Sequence, residues 1–94
     1  MPQNLSISVE TSYELLTDTS VTEATFQNVG SQPIYLLGTN GTGKPADDLL
    51  GILYRPGEGE SKRLLADLFP GVVGVDRLWA RAVSFPTQVF VSHA

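Results

Sequence analysis

The sequence predicts an all-β fold, namely a small single-domain antiparallel β-sandwich or jelly-roll-like barrel. Apolar residues alternate with polar ones along several short runs, which is the pattern of half-buried strands. Turn signals rich in glycine and proline recur about every ten residues, a spacing typical of sandwiches and small barrels. We therefore expect one β domain over residues 1–94, with about six to eight short strands and at most one or two short helical turns.

The first runs give the clearest strands. In "LSISVE", Leu5, Ile7 and Val9 alternate with polar residues, and the runs "VTEATFQNV" and "IYLLG" flank the turn "GSQP". The short connection between these two runs predicts that they pair as a hairpin. The first ten residues either pair within their own sheet or form an N-terminal arm that adds to a neighbour, and the sequence leaves both open.

The later runs are more interrupted. A fourth strand is predicted in "LLGILYR" despite Gly51, the run "KRLLADLF" returns from the turn "PGEGES", and "VDRLWARAVS" and "TQVFVS" form a last pair around "SFPT". Short helical turns are allowed in "SYELLTD" and "PADDLLGIL", where proline followed by acids suits a helix start.

Composition argues against several classes of function. The chain has no cysteine, a single histidine, His93, and a net charge of −4, so neither disulfides nor a bound metal or other cofactor is expected. Six basic residues among ten acidic ones make a poor footprint for nucleic acid, which is bound largely through phosphate contacts. There is no signal-peptide pattern and no apolar run near the ~20 residues of a membrane span, so we expect synthesis in the cytoplasm and no membrane partner.

The stretch "GTNGTGKP" nearly spells a phosphate-binding loop. Gly38, Gly43 and Lys44 occupy the fixed positions of the pattern G-x-x-x-x-G-K-[ST], but Pro45 replaces the hydroxyl residue that ligates Mg²⁺. A short chain also has little room for the βαβ units that such a loop requires. We predict a mobile, exposed connection that either lets the chain pass from one sheet to the other or presents a soft loop to a partner. The acidic pairs lie in loops and turns, so no enzyme activity is expected.

The most distinctive strand is "VDRLWARAV". Alternation places Arg77, Trp79 and Arg81 on one face. The opposite face carries Leu78, Ala80 and Ala82. Two interpretations stay open: Trp79 belongs to the core with the arginine stems along the sheet, or the three residues form an interface stripe, since tryptophan and arginine are enriched in binding hot spots.

Two further aromatic residues sit beside turns. Phe69 and Phe85 each precede a proline and add apolar groups to the candidate protein interface, which comprises Arg77, Trp79, Arg81, Phe85 and Phe69. A small β domain with such groups also has sheet edges to protect. Self-association is therefore expected.

The turn and strand pattern resembles small β-sandwich proteins of tailed-bacteriophage virions. The similarity rests on "FQNVGSQPIYLLGT", "GILYRPGEG" and "RLWARAVSFPTQVFVS", between Ala24 and Ser92. It implies a non-enzymatic capsid decoration (cement) or head-associated protein that is located in the virion, self-associates, with a trimer favoured, and binds the major capsid protein. The alternative is a carbohydrate-binding or tail and fibre accessory module, in which Trp79 or Tyr54 would hold a glycan.

Overall fold

The computed structural model describes residues 3–94, which form two antiparallel four-stranded sheets and one helical turn. This confirms the predicted all-β sandwich. In chain order the elements are β1 (Gln3–Val9), β2 (Glu14–Leu15), β3 (Glu23–Asn28), β4 (Ile34–Thr39), β5 (Ile52–Tyr54), β6 (Gly59–Leu64), α1 (Leu65–Leu68), β7 (Arg77–Ala82) and β8 (Thr87–His93).

The two sheets share no strand. The first has the order β1-β8-β3-β6 and the second the order β2-β7-β4-β5. Strands β1, β6, β2 and β5 are therefore the edges. The corner between β1 and β2 is closed by a hydrogen bond from the amide of Ala82 to the carbonyl of Glu10, at 2.7 Å.

The core lies between the sheets and is built by the alternating residues that the sequence predicts. Val9, Phe26, Leu36, Leu78 and Val91 are at most 1% exposed. Each such side chain contributes about 1.5–3 kcal/mol by leaving water. The ring of Phe26 also meets the ring of Tyr54 edge-to-face, with centroids 5.1 Å apart.

The predicted hairpins are wrong. Strands β3 and β4, which flank "GSQP", lie in different sheets, and so do β7 and β8, which flank "SFPT". The one pair of consecutive strands that are hydrogen-bonded neighbours is β4–β5, which the long glycine-rich segment joins. Both short connections cross the sandwich instead. In the β3–β4 connection, Asn28 is fully buried at the end of β3 and donates to the carbonyls of Gln32 and Tyr54, which turns the chain away from its own sheet.

Three local predictions also change. Strand β5 covers only Ile52–Tyr54. Gly51 precedes it and lies close to β4, where a side chain would meet the carbonyl oxygen of Leu36 at 2.0 Å. The run "KRLLADLF" ends as a strand at Leu64 and continues as α1. The segment "SYELLTD" contains β2 rather than a helical turn.

The turn predicted at "PGEGES" is present and its residues explain it. The amide of Glu58 bonds the carbonyl of Arg55 at 2.9 Å, which closes a four-residue turn. Pro56 holds the second position and Gly57, with φ of 88°, the third, as a type II turn requires.

The N-terminal strand pairs within its own sheet. All seven residues of β1 are in register with β8, from Gln3 opposite His93 to Val9 opposite Thr87. Gln3 is also joined to the segment after β2, because its side-chain amide donates to the carbonyl of Leu16 at 2.7 Å. Residues 1 and 2 of the proposed arm lie outside the described residues.

Candidate interaction surface

The alternation predicted for β7 is present in the structure. Leu78 and Ala80 are fully buried in the core between the sheets. Arg77, Trp79 and Arg81 therefore lie on the outer face of the second sheet, opposite Thr39, Leu37 and Tyr35 of β4. What covers this face decides whether the three residues are free to bind.

Trp79 is buried although it lies outside the core. Its side chain is 6% exposed, and its indole Nε1 donates to the hydroxyl of Thr39 at 2.8 Å. Leu15 and Leu37 occupy the opposite positions on the two neighbouring strands. Trp79 thus stabilises the outer face and leaves no ring face exposed to a ligand.

Arg81 lies between two tyrosine rings. Its guanidinium carbon is 5.1 Å from the ring centroid of Tyr35 and 5.8 Å from that of Tyr13. Cation–π contacts of this kind contribute about 0.5–1 kcal/mol where solvent reaches them. The Arg81 guanidinium also limits the rise that partial burial causes in the Tyr13 pKa. Arg81 is therefore a partly covered structural residue.

Arg77 is held at the other end of the same face. Its Nη1 lies 2.9 Å from Oδ2 of Asp76, an ion-pair distance, although the geometry is not that of a hydrogen bond. Asp76 in turn accepts the amide of Gly41 at 2.8 Å and the hydroxyl of Ser20 at 3.0 Å. These bonds, the Gly41 amide first, lower the pKa of Asp76.

The two phenylalanines have opposite surroundings. Phe69 packs against the core, and a side chain at Gly38 would meet its ring at 2.6 Å. Phe85 is 64% exposed in the connection between β7 and β8. Of the five predicted interface residues, Phe85 alone presents a large apolar surface, and the interface role of the set stays a prediction.

The "GTNGTGKP" segment is part of a long β4–β5 connection that stays on one sheet, so the predicted passage between sheets is wrong. Asp47 accepts the backbone amide of Tyr13 at 3.0 Å, and the hydroxyl of Tyr13 donates to the carbonyl of Leu49 at 2.6 Å. Because Tyr13 lies beside β2, the connection crosses the outer face of β7. The hydrogen bond from the Tyr13 amide, followed by the Ser12 hydroxyl and the charge of Lys44, lowers the pKa of Asp47.

Lys44 has local partners in this connection. Its ammonium bonds the hydroxyl of Ser12 and lies 3.6 Å from Oδ1 of Asp47. The residues after Lys44 form a turn and then β5, with no helix whose N-terminus would hold a phosphate. The segment is therefore held across the outer face of the sheet by these contacts. It does not have the geometry of a nucleotide-binding loop.

The sequence did not reveal a group of exposed aliphatic residues around β5. Four aliphatic residues within five positions are between 37% and 64% exposed. We call them the aliphatic ridge: Leu49, Leu50, Ile52 and Leu53. They follow the β5 edge of the second sheet. The apolar run "LLGIL" contains these residues, but from the sequence alone it predicts a buried strand. Its exposure depends on Gly51 and on the position of β5 at a sheet edge.

The described residues 3–94 hold no group of three or more metal-ligating side chains and no helix long and apolar enough to cross a membrane. No protein-family model, curated protein or solved structure matches the chain.

Proposed function

We propose that the chain is a bacteriophage virion structural protein, a capsid decoration or head-associated protein that acts by binding other proteins. The observation that carries the proposal is the aliphatic ridge, which exposes Leu49, Leu50, Ile52 and Leu53 together at a sheet edge. Exposed apolar side chains grouped at one edge favour an interaction site. Ile52 and Leu53 extend to opposite faces of β5, so the ridge presents apolar groups on both sides of that edge. The resemblance of its turns and strands to phage virion β-sandwich proteins supports the choice of the capsid as partner.

The support around the ridge suits a surface that binds without rearranging. Strand β5 pairs with β4 through Ile52, Leu53 and Tyr54, and the bond from the Tyr13 hydroxyl to the Leu49 carbonyl holds the segment before it. The aliphatic side chains are therefore displayed from a braced backbone. Ordering this surface on binding costs little entropy, which favours affinity.

The two residues that the carbohydrate-binding alternative requires are not exposed for binding a sugar. Trp79 and Tyr54 are 6% and 7% exposed, and both make hydrogen bonds through their polar atoms, to Thr39 and Glu60. Neither ring offers the open face that a stacked sugar needs. No described contact favours a glycan over a protein partner.

Co-sedimentation with capsid shells tests the proposal. Purified chain is mixed with capsid shells assembled from the major capsid protein of the proposed virion, and the shells are pelleted. We expect the chain to pellet in proportion to the shells until sites are filled. A chain that stays in the supernatant at micromolar shell concentration would sink the proposal.

A further inference from the structure

The four sheet edges differ in how they are protected against pairing with another chain. On β6, the charged residues Glu60, Lys62 and Arg63 and a break in register opposite β3 disturb the edge, and Lys62 has a φ of 47°. Strand β2 has two residues and β5 has three. Charges, irregularities and short length are the usual devices that block edge pairing.

Strand β1 has none of these devices. Its seven residues, "QNLSISV", carry no charge and no proline, and its register with β8 is unbroken. Leu5 is 48% exposed although it points to the side of the sheet that holds the core. This is the one long, uncharged and regular edge among the described residues 3–94.

The pairing of β8 shows which backbone groups of β1 face outward. The amide of Val29 bonds the carbonyl of Gln88, so Gln88 is turned towards β3. Because bonding direction alternates along an antiparallel strand, Val89 and Val91 are turned towards β1. Their partners Ile7 and Leu5 therefore use their amides and carbonyls within the sheet.

The residues between them present their backbone groups to the exterior. Asn4, Ser6 and Ser8 are exposed, and each directs one N–H and one C=O away from β8. No hydrogen bond found among residues 3–94 uses these groups.

We propose that β1 pairs antiparallel with β1 of a second copy of the chain, about a two-fold axis that passes through Ser6. This register sets Ser6 opposite Ser6 of the copy, and Asn4 opposite Ser8 of the copy. All three outward-facing residues then exchange hydrogen bonds in both directions. The result joins two four-stranded sheets into one continuous sheet.

Neighbouring registers satisfy fewer groups. An axis at Leu5 would set Ser8 opposite Pro2, which has no N–H to donate. An axis at Ile7 would set Asn4 opposite Glu10, whose carbonyl already accepts the amide of Ala82. The sequence and the contacts of β1 therefore favour the Ser6 register over the alternatives.

The side chains on both faces of β1 are compatible with the Ser6 register. On the core side, Leu5 of each copy lies opposite Ile7 of the other, which covers the exposed part of Leu5. On the outer side, the paired residues are Asn4, Ser6 and Ser8, which are small and uncharged. No like charges meet across the axis, although the chain as a whole has a net charge of −4.

The inference deepens the self-association part of the proposed function and is independent of capsid binding. It replaces the expected trimer by a closed dimer, because a two-fold pair uses the same edge on both copies and leaves none for a third. A chain that dimerises but never pellets with capsid shells would remove the capsid proposal and leave the β1 dimer standing.

Sedimentation equilibrium of the purified chain measures the mass directly. We expect twice the 10.1 kDa of the chain, with dissociation on dilution. A monomer at a concentration of 100 micromolar, or a trimer, would overturn the pairing.

Three variants locate the interface. Ser6→Lys places two like charges directly opposite each other, which destabilises a cross-strand pair, so we expect the mass to fall to that of a monomer. Ser6→Thr keeps a neutral hydroxyl and is expected to remain a dimer. Ser61→Lys, an exposed site on the opposite edge strand β6, is the matched control and is also expected to remain a dimer.

Circular dichroism establishes that each variant is folded, and hydrogen exchange supplies a second readout. In the dimer the amides of Asn4, Ser6 and Ser8 exchange slowly, and they become fast on dilution or in Ser6→Lys. A folded Ser6→Lys variant that stays dimeric, or fast exchange of all three amides in a dimer, would place the interface elsewhere and contradict the proposal.

Discussion

Adjacent residues of β7 have different surroundings, since Leu78 lies in the core and Trp79 on the outer face of the second sheet. Alternation correctly separated Trp79 from Leu78, because the two sides of a strand follow from backbone geometry. It did not reveal that Trp79 is covered on the outer face, because Thr39, Leu15 and Leu37, which surround it, are distant in sequence. The glycine at position 38 suggested a phosphate-binding loop, yet it lies in β4, where the ring of Phe69 leaves no room for a side chain.

Asn28 is a residue whose importance only the structure shows. It is fully buried, donates to the carbonyls of Gln32 and Tyr54, and accepts the amide of Gly30. Asn28→Asp keeps the shape but removes the donor and buries a charge, so we expect a loss of about 2–3 kcal/mol in the free energy of unfolding at pH 7. Urea denaturation measures it.

The matched control for this change is Gln88→Glu, which makes the same amide-to-acid exchange at an exposed position on β8. It is expected to change stability by less than about 0.5 kcal/mol. Equal stability of Asn28→Asp and wild type would contradict the role of Asn28 in turning the chain between sheets.

Tyr54 makes stability sensitive to high pH. Burial, followed by the negative charge of Glu60, raises its pKa to about 12. Because the unfolded chain ionises this group near its ordinary value of 10.0, stability is retained below that pH and lost as pH rises towards 12. Tyr54→Phe keeps the ring contact with Phe26, so we expect a shallower decline in melting temperature between pH 9 and 12. An unchanged decline would contradict this role.

At the scale of elements, the strands were predictable and their pairing was not. Seven of the eight described strands overlap runs that the sequence predicts as strands, while β2, with its two residues, is too short to leave a pattern. Pairing depends on where a connection turns, and that depends on tertiary contacts such as those of Asn28. For the long β4–β5 connection, the glycine-rich composition predicted a mobile segment. Hydrogen bonds made by Asp47 and Tyr13 hold it in place instead.

Asp76 joins three connections and gives them a shared dependence on acid. Its pKa is lowered mainly by the amide of Gly41, with help from Ser20 and Arg77. The stability it contributes is therefore present above the ordinary carboxyl pKa of 3.8 and is lost as pH falls through the lower folded value. We expect Asp76→Asn to lower the free energy of unfolding at pH 7 by about 0.5–1 kcal/mol, with solvent screening included.

The difference in the free energy of unfolding between Asp76→Asn and wild type should become smaller in acid. The difference is expected to shrink as pH falls through the folded pKa of Asp76, because the wild-type carboxyl group then takes up a proton. Asp48→Asn, in the exposed part of the β4–β5 connection, is the control and should follow wild type throughout. A difference at pH 2 as large as that at pH 7 would show that the effect is not one of charge.

At the scale of the whole molecule, the fold class followed from composition and turn spacing, whereas the surfaces that bind did not. The predicted interface centred on β7, but the structure covers most of that face. The exposed apolar groups gather instead on the aliphatic ridge, and the unprotected backbone groups lie on β1. The order of strands in a sheet decides which strands lie at its edges. That order is set by contacts between distant parts of the chain.

The two surfaces lie on opposite sides of the sandwich. Strand β1 ends the first sheet beside the β1–β2 corner, and β5 ends the second sheet on the other side. A dimer formed through β1 would therefore leave both ridges free. Two ridges on one particle would bind a shell of repeated subunits more tightly than one, if both reach their sites.

The proposed binding of the aliphatic ridge to the capsid is tested by one pelleting measurement. The fraction bound to capsid shells is compared for wild type, Leu50→Lys and Val73→Lys, where Leu50 and Val73 are 64% and 89% exposed, so both variants should fold. We predict that Leu50→Lys loses at least tenfold in affinity, while Val73→Lys, which lies outside the ridge, binds like wild type. Equal binding by all three would contradict the claim.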